Sequence, residues 1–442
     1  MARSIWKIGV SEPWMGLSRR LTQGGLHALA TRSRSTGPAY SPLAGSLLYV
    51  AASALPYHIS GYATRTHEIN RALLATGARV QVLTRTGYPW DRRDRLAQAQ
   101  GLTTQVDEIT YHHLPDPPNR WPVLAYAPWA ARRLAQWAMA QRVACIHAAS
   151  NHVNALPALL AARRLGIPFQ YEMRGLWELT RISRTPQYEH TQAFRQGLRL
   201  ESLVARQADR LFVISEQLGQ YVNQHWGVDP QRMALLPNCV DPERFVPADM
   251  AQVRPNTLGY AGSLIGYEGL DTLIDAVHML LGQGKALDLI IIGDGEARAS
   301  LEAQAERLGL LGRQVRFLGK VSPEQARQSL AVCALVCIPR KPFQVCRIVT
   351  PIKLVEALAM GKPVLVPDLP VFRDELGPNP AGWFFKAGDA QDLARVVAQA
   401  LSDPGRLQAM GQAARQYAVR QRSWQDFVPQ LIPLKTDRRA GC

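Results

Sequence analysis

The stretch Pro339–Val364 contains the residues best suited to bind an anion. Thr350 followed by Pro351 is typical of a helix start, as N-cap and first helical residue. A helix N-terminus favours an anion through its free N–H groups and its dipole. Arg347 lies just before this start and Lys353 lies in the first turn. The pattern predicts a cradle for a diphosphate, and the alternative is an ordinary surface helix.

Glu356 lies one turn after Lys353, on the same face of the predicted helix. A carboxylate at this point can accept hydrogen bonds from the hydroxyl groups of a sugar or a ribose. The alternative interpretation is a plain Lys–Glu pair on the surface. Together the two side chains predict a site for a phosphorylated, hydroxyl-bearing ligand.

A second set of chemically capable residues lies in the first half of the chain. The segment YEMRGLWE (171–178) overlaps and follows an apolar run that predicts a strand, and it offers Glu172, Arg174 and Glu178. A guanidinium group is suited to bind an acceptor phosphate through two parallel hydrogen bonds, and Glu172 is suited to orient an acceptor hydroxyl. The alternative is a structural Arg–Glu pair. His147 ends another apolar run, and it is either a catalytic residue or a buried core histidine.

Short apolar runs alternate with longer helical patterns along the chain, which indicates parallel sheets covered by helices on both faces. One such series precedes the proline-rich segment 237–255 and a second follows it. The predicted helix near 128–143 begins with Pro128 at its first position. We therefore expect two open α/β domains with a cleft between them, and ligands beyond the carboxyl ends of the strands.

The composition excludes several classes of protein. Of the 442 residues 47% are hydrophobic, which rules out a mainly disordered chain. The six cysteines show no CxxC pair, so we expect no metal site and a reducing compartment. No apolar run reaches membrane-spanning length, and no secretory signal is evident. The net charge is +16, of which +13 lies in residues 1–240. This excess predicts an anionic partner, and the alternative is that it serves solubility alone.

Several segments, in order, resemble glycosyltransferase family 4, whose members are retaining enzymes of the GT-B fold. The run KLVEALAMGKPV (353–364) looks like the donor-site helix of that family. The other matching stretches are SGYATRTHEINRALLATGARVQVLT (60–84), IHAAS (146–150), IPFQYEMRGLWE (167–178), ADRLFVISEQL (208–218), LLPNCVDPERFVP (235–247), LGYAGSLIGYEGLDTLIDAV (258–277), LIIIGDGEAR (289–298) and VRFLGKV (315–321). The signatures YEMRGLWE and PIKLVEALA are similar to those of an exopolysaccharide-assembly branch.

The resemblance implies roles for individual residues. Glu356 matches the glutamate that binds the nucleotide ribose, and Gly61 falls in the glycine loop after the first strand. Further residues would line the nucleotide and diphosphate site of the second domain: Gly262, Ser263, Gly293 and Gly319. GDGEAR lacks the third glycine of a dinucleotide fingerprint, so a nicotinamide cofactor is not expected.

The chain departs from the family pattern at several positions. The first glutamate of the family's pair would fall at Ile348, and one histidine of its His-x-His motif is replaced by Ala149. The family's usual Arg and Lys in the loop that opens the second domain fall at Ser263 and Glu268. The basic run that ends at Lys353 contains no carboxylate from 325 onward. We expect this run to replace the two missing cations.

The segment Trp121–Arg142 mixes tryptophans with arginines, and its helical part is suited to lie on an anionic membrane. The alternative is that the tryptophans are buried. Residues 1–44 carry a net charge of +5, which adds attraction to an acidic surface.

We interpret the chain as an α/β protein of the GT-B fold, with two doubly wound Rossmann-like domains facing across a cleft. The expected boundaries are a basic leader over 1–44, disordered in part, an acceptor-side domain over 45–236, a linker over 237–255, a nucleotide-sugar domain over 256–425, and a tail over 426–442.

The expected activity is transfer of a hexose from a nucleotide-diphosphate sugar to an anionic, lipid-linked or polysaccharide acceptor, with retention, in surface polysaccharide biosynthesis. The sugar nucleotide is a substrate, and neither a cofactor, a metal nor nucleic acid is expected. We expect a cytoplasmic protein at the inner face of the plasma membrane. The alternatives are a catalytically silent sugar-nucleotide-binding subunit, an epimerase of the same fold, and a nucleic-acid-binding protein.

Overall fold

The computed structural model describes residues 20–31, 40–92, 101–247, 249–377 and 381–433. The chain divides into two compact units. The first unit contains the described residues up to Ile214, then Leu218–Leu236 and the residues from Phe427 onward. The second unit contains Ser215–Gln217 and Pro237–Asp426. The predicted linker 237–255 therefore groups with the second unit, and the last described residues group with the first.

The first unit is built on a sheet with strand order β3-β4-β2-β1-β5-β6-β7-β8, in which only the pair β3–β4 is antiparallel. Every residue of β1 is buried, as expected for a parallel strand with helices on both faces. The strands are β1 (Ser46–Ala51), β2 (Arg79–Thr84), β3 (Thr103–Val106), β4 (Ile109–His112), β5 (Cys145–Ala149), β6 (Phe169–Met173), β7 (Arg210–Val213) and β8 (Met233–Leu235).

Helices connect these strands and cover the sheet. Helix α2 begins where the Ser60 side chain accepts a hydrogen bond from the Ala63 N–H, and α4 ends at Gly166, which adopts a left-handed conformation. The helices are α1 (20–31), α2 (Gly61–Ala75), α3 (Val123–Ala140), α4 (His152–Leu165), α5 (Trp177–Ile182), α6 (Gln192–Gln207) and α7 (Glu216–Trp226).

The second unit has a six-stranded, all-parallel sheet of order β11-β10-β9-β12-β13-β14. Alternate residues such as Leu289 and Ile291 of β10 point to one face, where they pack against α8, α9 and α14. The strands are β9 (Arg254–Ala261), β10 (Asp288–Ile292), β11 (Val315–Gly319), β12 (Cys333–Cys337), β13 (Val364–Pro367) and β14 (Gly382–Phe385). The helices are α8 (Leu270–Gly282), α9 (Arg298–Arg307), α10 (Pro323–Ala331), α11 (Gln344–Ile348), α12 (Ile352–Ala359), α13 (Pro370–Leu376), α14 (Ala390–Leu401), α15 (Pro404–Gln421) and α16 (Trp424–Phe427).

Two expected helix starts are wrong. Helix α3 begins at Val123, and Pro128 lies inside it, because the helix gains a further turn over apolar residues that precede the proline. Helix α12 begins at Ile352 with Pro351 in the N-cap position, and no side chain caps it. The carbonyl group of Thr350 instead accepts a hydrogen bond from the Asn238 side chain (2.8 Å).

The leader is partly helical where the structure describes it. Residues 20–31 form α1, because Leu26 and Ala30 are buried and give the segment an apolar face. The rest of the leader up to residue 39, and the end of the expected tail over 434–442, lie outside the described residues. None of the helices within the described ranges has both the length and the apolar character that a membrane span requires.

Candidate functional site

Three loops at the carboxyl edge of the second sheet are joined backbone to backbone. The N–H of Gly262 donates to the carbonyl of Ile292, and the N–H of Gly293 donates to the carbonyl of Gly319, each at 2.9 Å. A Cβ atom at Gly293 would lie 1.9 Å from the Gly262 carbonyl oxygen, so only glycine permits this approach. The predicted glycines of β9, β10 and β11 therefore form one continuous platform.

A buried cluster of charges lies beside this platform. Nζ of Lys353 donates to Oε2 of Glu268 (2.8 Å) and to the Tyr260 hydroxyl (2.7 Å). Nη2 of Arg340 donates to Oε1 of the same glutamate (3.0 Å). A Cβ atom at Gly262 would lie 2.6 Å from Nζ of Lys353, so the ammonium group lies directly against the loop that follows β9. The two cations and one carboxylate leave a net charge of +1.

The electrostatics of this cluster favour the ionised form of Glu268. Burial raises the pKa of Glu268, but Arg340 and Lys353 outweigh it and lower the pKa to about 2. Burial lowers the pKa of Lys353, while Glu268 opposes that shift. The cluster thus concentrates positive charge at a largely buried point.

The remaining predicted donor-site residues are less closely joined. Glu356 is half-buried on α12, and its charge raises the pKa of Lys353. Ser263 is exposed in the loop after β9, where its carbonyl accepts a hydrogen bond from the Tyr260 hydroxyl (2.9 Å). Arg347 is exposed on α11 and does not join the buried cluster.

In the first unit the structure brings His147, Glu172 and Arg174 together inside the protein. Nε of Arg174 and Nε of Arg65 both donate to Oε1 of Glu172 at 2.8 Å. The Tyr49 hydroxyl donates to Oε2 of Glu172 (2.8 Å), and Nε2 of His147 lies 3.2 Å from the same oxygen. Glu172 and Arg174 lie at the carboxyl end of β6. His147 lies within β5, Tyr49 within β1 and Arg65 on α2, and all five side chains are buried.

The donors of Arg174 are used within the protein. Nη1 donates to the carbonyl of Tyr62 (2.9 Å) and to the Thr66 hydroxyl (2.8 Å), and Nη2 donates to Glu172 and Tyr49. A substrate phosphate on Arg174 would have to displace one of these partners. Gly61, by contrast, is exposed as the first residue of α2. The roles expected for these residues stay predictions.

The sequence interpretation missed five members of the two clusters. Arg340 belonged to the basic run but had no assigned role, and Glu268 was counted only as a lost cation. No local pattern pointed to Tyr49, Arg65 or Tyr260. The only available signal was that each lies in or just after a predicted strand or in the helix that follows one.

The architecture is shared with solved glycosyltransferase-like structures. HepE of Anabaena, solved in complex with UDP, superposes with a TM-score of 0.66 at 18% identity, over 87% of this chain and 98% of that one. Two Rossmann-like units built on largely parallel sheets are the architecture of the GT-B fold.

Both halves of the chain match family models. Residues 60–239 match the glycosyl transferase 4-like domain, and residues 246–417 match glycosyl transferases group 1. The chain therefore belongs to the family 4-like glycosyltransferases.

Two curated relatives match over most of their length. The 2-deoxystreptamine glucosyltransferase of Streptomyces kanamyceticus is 24% identical over 367 residues, which is 79% of this chain and 92% of that protein. The D-inositol 3-phosphate glycosyltransferase 1 of Catenulispora acidiphila is 26% identical over 427 residues, 92% of this chain and 94% of that protein. The chain is accordingly a glycosyltransferase, an enzyme.

Proposed function

We propose that this enzyme transfers a hexosyl group from a nucleotide-diphosphate sugar bound at the carboxyl edge of the second sheet. The observation that carries the proposal is the buried Glu268–Arg340–Lys353 cluster beside the glycine platform. The diphosphate gains charge as it leaves the sugar, and preorganised cations stabilise such charge most effectively in a site that excludes water. In this proposal the chain's own side chains supply that stabilisation.

The same site has groups suited to the rest of the donor. Glu356 lies one turn after Lys353, so its carboxylate would accept hydrogen bonds from the ribose hydroxyls. The backbone of Gly262 and Gly293 would approach the phosphates closely, because no side chain intervenes. UDP is the nucleotide to test first, because the HepE structure contains it.

For the acceptor we propose an anionic, lipid-linked or polysaccharide molecule, with retention of the anomeric configuration, in surface polysaccharide assembly. The support is the basic excess of residues 1–240. The named substrates of the two relatives differ, since one is an amino-bearing cyclitol and the other a phosphorylated one. The charge of this chain favours the phosphorylated type.

A membrane surface is the proposed setting of the reaction, at the inner face of the plasma membrane. Helix α3 packs an alanine- and leucine-rich face inward and exposes Trp129 (54%) and Met139 (53%). Arg132 and Arg133 lie on the same exposed face, and α3 contains no carboxylate. Aromatic and apolar side chains beside arginines suit the interface of an anionic bilayer.

A nucleotide panel tests the donor site. We expect one nucleoside diphosphate to stabilise the wild-type protein, by about 2.7 kcal/mol at 100 times its Kd. In a domain of this size that is about 5–10 °C in melting temperature. Lys353→Ala should lose this shift. Lys285→Ala, at the opposite edge of the same sheet, should keep it. A panel without any stabilising nucleotide would contradict the proposal.

Turnover tests the chemistry. With a nucleotide hexose and a lipid-diphosphate-linked saccharide, we expect release of the nucleoside diphosphate and a product whose anomeric proton coupling matches that of the donor. Inverted coupling would refute retention. Conversion of the donor sugar without an acceptor would instead favour an epimerase, and binding without turnover would favour a silent subunit.

Vesicle sedimentation tests the membrane contact. We expect the protein to sediment with vesicles that contain phosphatidylglycerol and to do so less after Trp129→Ala/Arg132→Ala/Arg133→Ala. Arg195→Ala/Arg206→Ala removes two exposed arginines from α6 and serves as the control. Equal sedimentation of all three proteins would exclude α3 as the contact.

A further inference from the structure

Glu268 lies where the resembling family places a cation, and the structure gives its carboxylate two cationic partners. Oε2 accepts from Nζ of Lys353 at 2.8 Å, and both oxygens face the guanidinium group of Arg340, at 3.0 and 3.4 Å. All three side chains are buried or nearly so, with exposed fractions of 4%, 9% and 14% for Glu268, Arg340 and Lys353. The carboxylate of Glu268 is therefore buried and paired with two cations at the proposed donor site.

The ammonium group of Lys353 is held at two of its three N–H donors. One donor goes to Glu268 and one to the Tyr260 hydroxyl, which is itself fixed by its bond to the Ser263 carbonyl (2.9 Å). The same ammonium lies 4.4 Å from the centre of the Tyr260 ring. One N–H therefore remains for a ligand, and its direction is set by the other two.

Arg340 is held in a similar way. Its Nη1 donates to the carbonyl of Val349 (2.9 Å), and its Nε and Nη2 go to Glu268. The loop that carries Glu268 is tied to the loop after β12, because the N–H of Lys341 donates to the Tyr267 carbonyl (2.9 Å). Both cations are thus oriented by the single carboxylate of Glu268, which lies on a different segment from either of them.

We propose that Glu268 is a positioning residue, whose carboxylate holds Lys353 and Arg340 in the orientation that binds the donor diphosphate. The loop after β9 carries this carboxylate where the family pattern has a cation, and a cation lies on helix α12 instead. This inference rests on the proposed donor site. Glu268, the residue that departs from the family pattern, is thus the partner of Lys353.

The charge of Glu268 also controls the charge of Lys353. The ionisable groups around the ammonium are Glu268, Arg340, Glu356, Tyr260 and the Cys346 thiol. Burial and Arg340 lower the pKa of Lys353, whereas the two glutamates raise it. Loss of the Glu268 charge should therefore let Lys353 lose its proton at a lower pH, which would weaken donor binding from a lower pH upward.

The test compares Glu268→Gln with Glu375→Gln in the full-length enzyme. Glu375 is a matched control, because it is a buried carboxylate of the same unit that accepts from Arg422 (2.5 Å) and Tyr417 (3.2 Å) and contacts no member of the cluster. We expect the KM for the nucleotide sugar to rise about 10- to 100-fold in Glu268→Gln. The alkaline limb of kcat/KM should also move to lower pH. The control should change neither.

Glu268→Asp provides a second route if the glutamine variant does not fold. Aspartate keeps the charge but is one methylene shorter, so we expect a raised KM with the wild-type pH limb. A glutamine variant that is folded and shows the KM and pH profile of the control would overturn the inference, and so would an unchanged KM in the aspartate variant. Failure of the wild-type enzyme to bind any nucleoside diphosphate would instead refute the donor site itself.

Discussion

Replacement of Glu172 by glutamine should destabilise the first unit by about 3–5 kcal/mol, because it leaves two buried guanidinium groups without their counter-charge. The carboxylate accepts three hydrogen bonds of 2.8 Å from Arg65 and Arg174. Both arginines are at most 3% exposed, so water cannot replace the lost partner. Glutamine has the same shape, and the change therefore reports charge and hydrogen bonding with little change in packing.

Urea unfolding followed by circular dichroism measures this loss. For a domain of 150–250 residues each kcal/mol lowers the melting temperature by about 2–4 °C, so the expected shift is about 6–20 °C. Glu189→Gln changes an exposed carboxylate of the same unit and should stay within about 0.5 kcal/mol of wild type. Nucleotide binding by the second unit should persist in both variants below their melting temperatures.

The pH dependence gives an independent check. Burial raises the pKa of Glu172, but Arg174 and Arg65 hold it well below its usual range. The folded-state pKa is therefore depressed, and the stabilisation is present above the unfolded-state pKa and lost as the pH falls. The Glu172→Gln variant should lack this part of the acid-induced loss. A variant within about 1 kcal/mol of wild type, with the same acid limb, would refute the reasoning.

Three further outcomes follow from other positions. In urea unfolding, Gly269→Ala should lower the stability of the second unit by about 2 kcal/mol more than Gly284→Ala does. A Cβ atom at Gly269 would lie 1.9 Å from the Pro339 carbonyl oxygen, whereas Gly284 has a similar positive φ but faces open space. Burial lowers the pKa of Lys362 from 10.5 to about 8. The free energy of unfolding of the wild-type protein should therefore gain a contribution that rises between pH 8 and pH 10.5, and Lys362→Met should lack it. Equal pH slopes of the unfolding free energy in the two proteins would contradict this prediction. Burial lowers the pKa of His113 to about 4. The wild-type protein should therefore lose stability as the pH falls from 6.5 to 4, because the buried imidazole resists protonation. His113→Gln should lose less stability than the wild-type protein when unfolding is compared at about pH 5 and pH 7.

The strand and helix pattern of both units was largely predictable, because apolar periodicity is local. The run 287–292 became β10 (Asp288–Ile292), and the pattern near 389–402 became α14 (Ala390–Leu401). The hairpin β3–β4 was not predicted, since its strands are short and half-exposed and show no buried run. The spacing of side chains along a helix is also local, so the sequence predicted that Lys353 and Glu356 lie on one face of α12.

The sequence by itself determined the family, the two-domain organisation and the segment that carries the donor-site cations, because motifs and apolar runs are readable over short distances. Only the tertiary structure decided what those cations bind. Glu268 and Arg340 are 72 residues apart, and their pairing requires the loops after β9 and β12 to meet at one sheet edge. Arg174 was predicted to bind a phosphate, yet its donors go to Glu172 and neighbouring groups, a geometry that depends on α2 packing against the sheet. Charge compensation between distant segments depends on distance in space, which no spacing along the chain encodes.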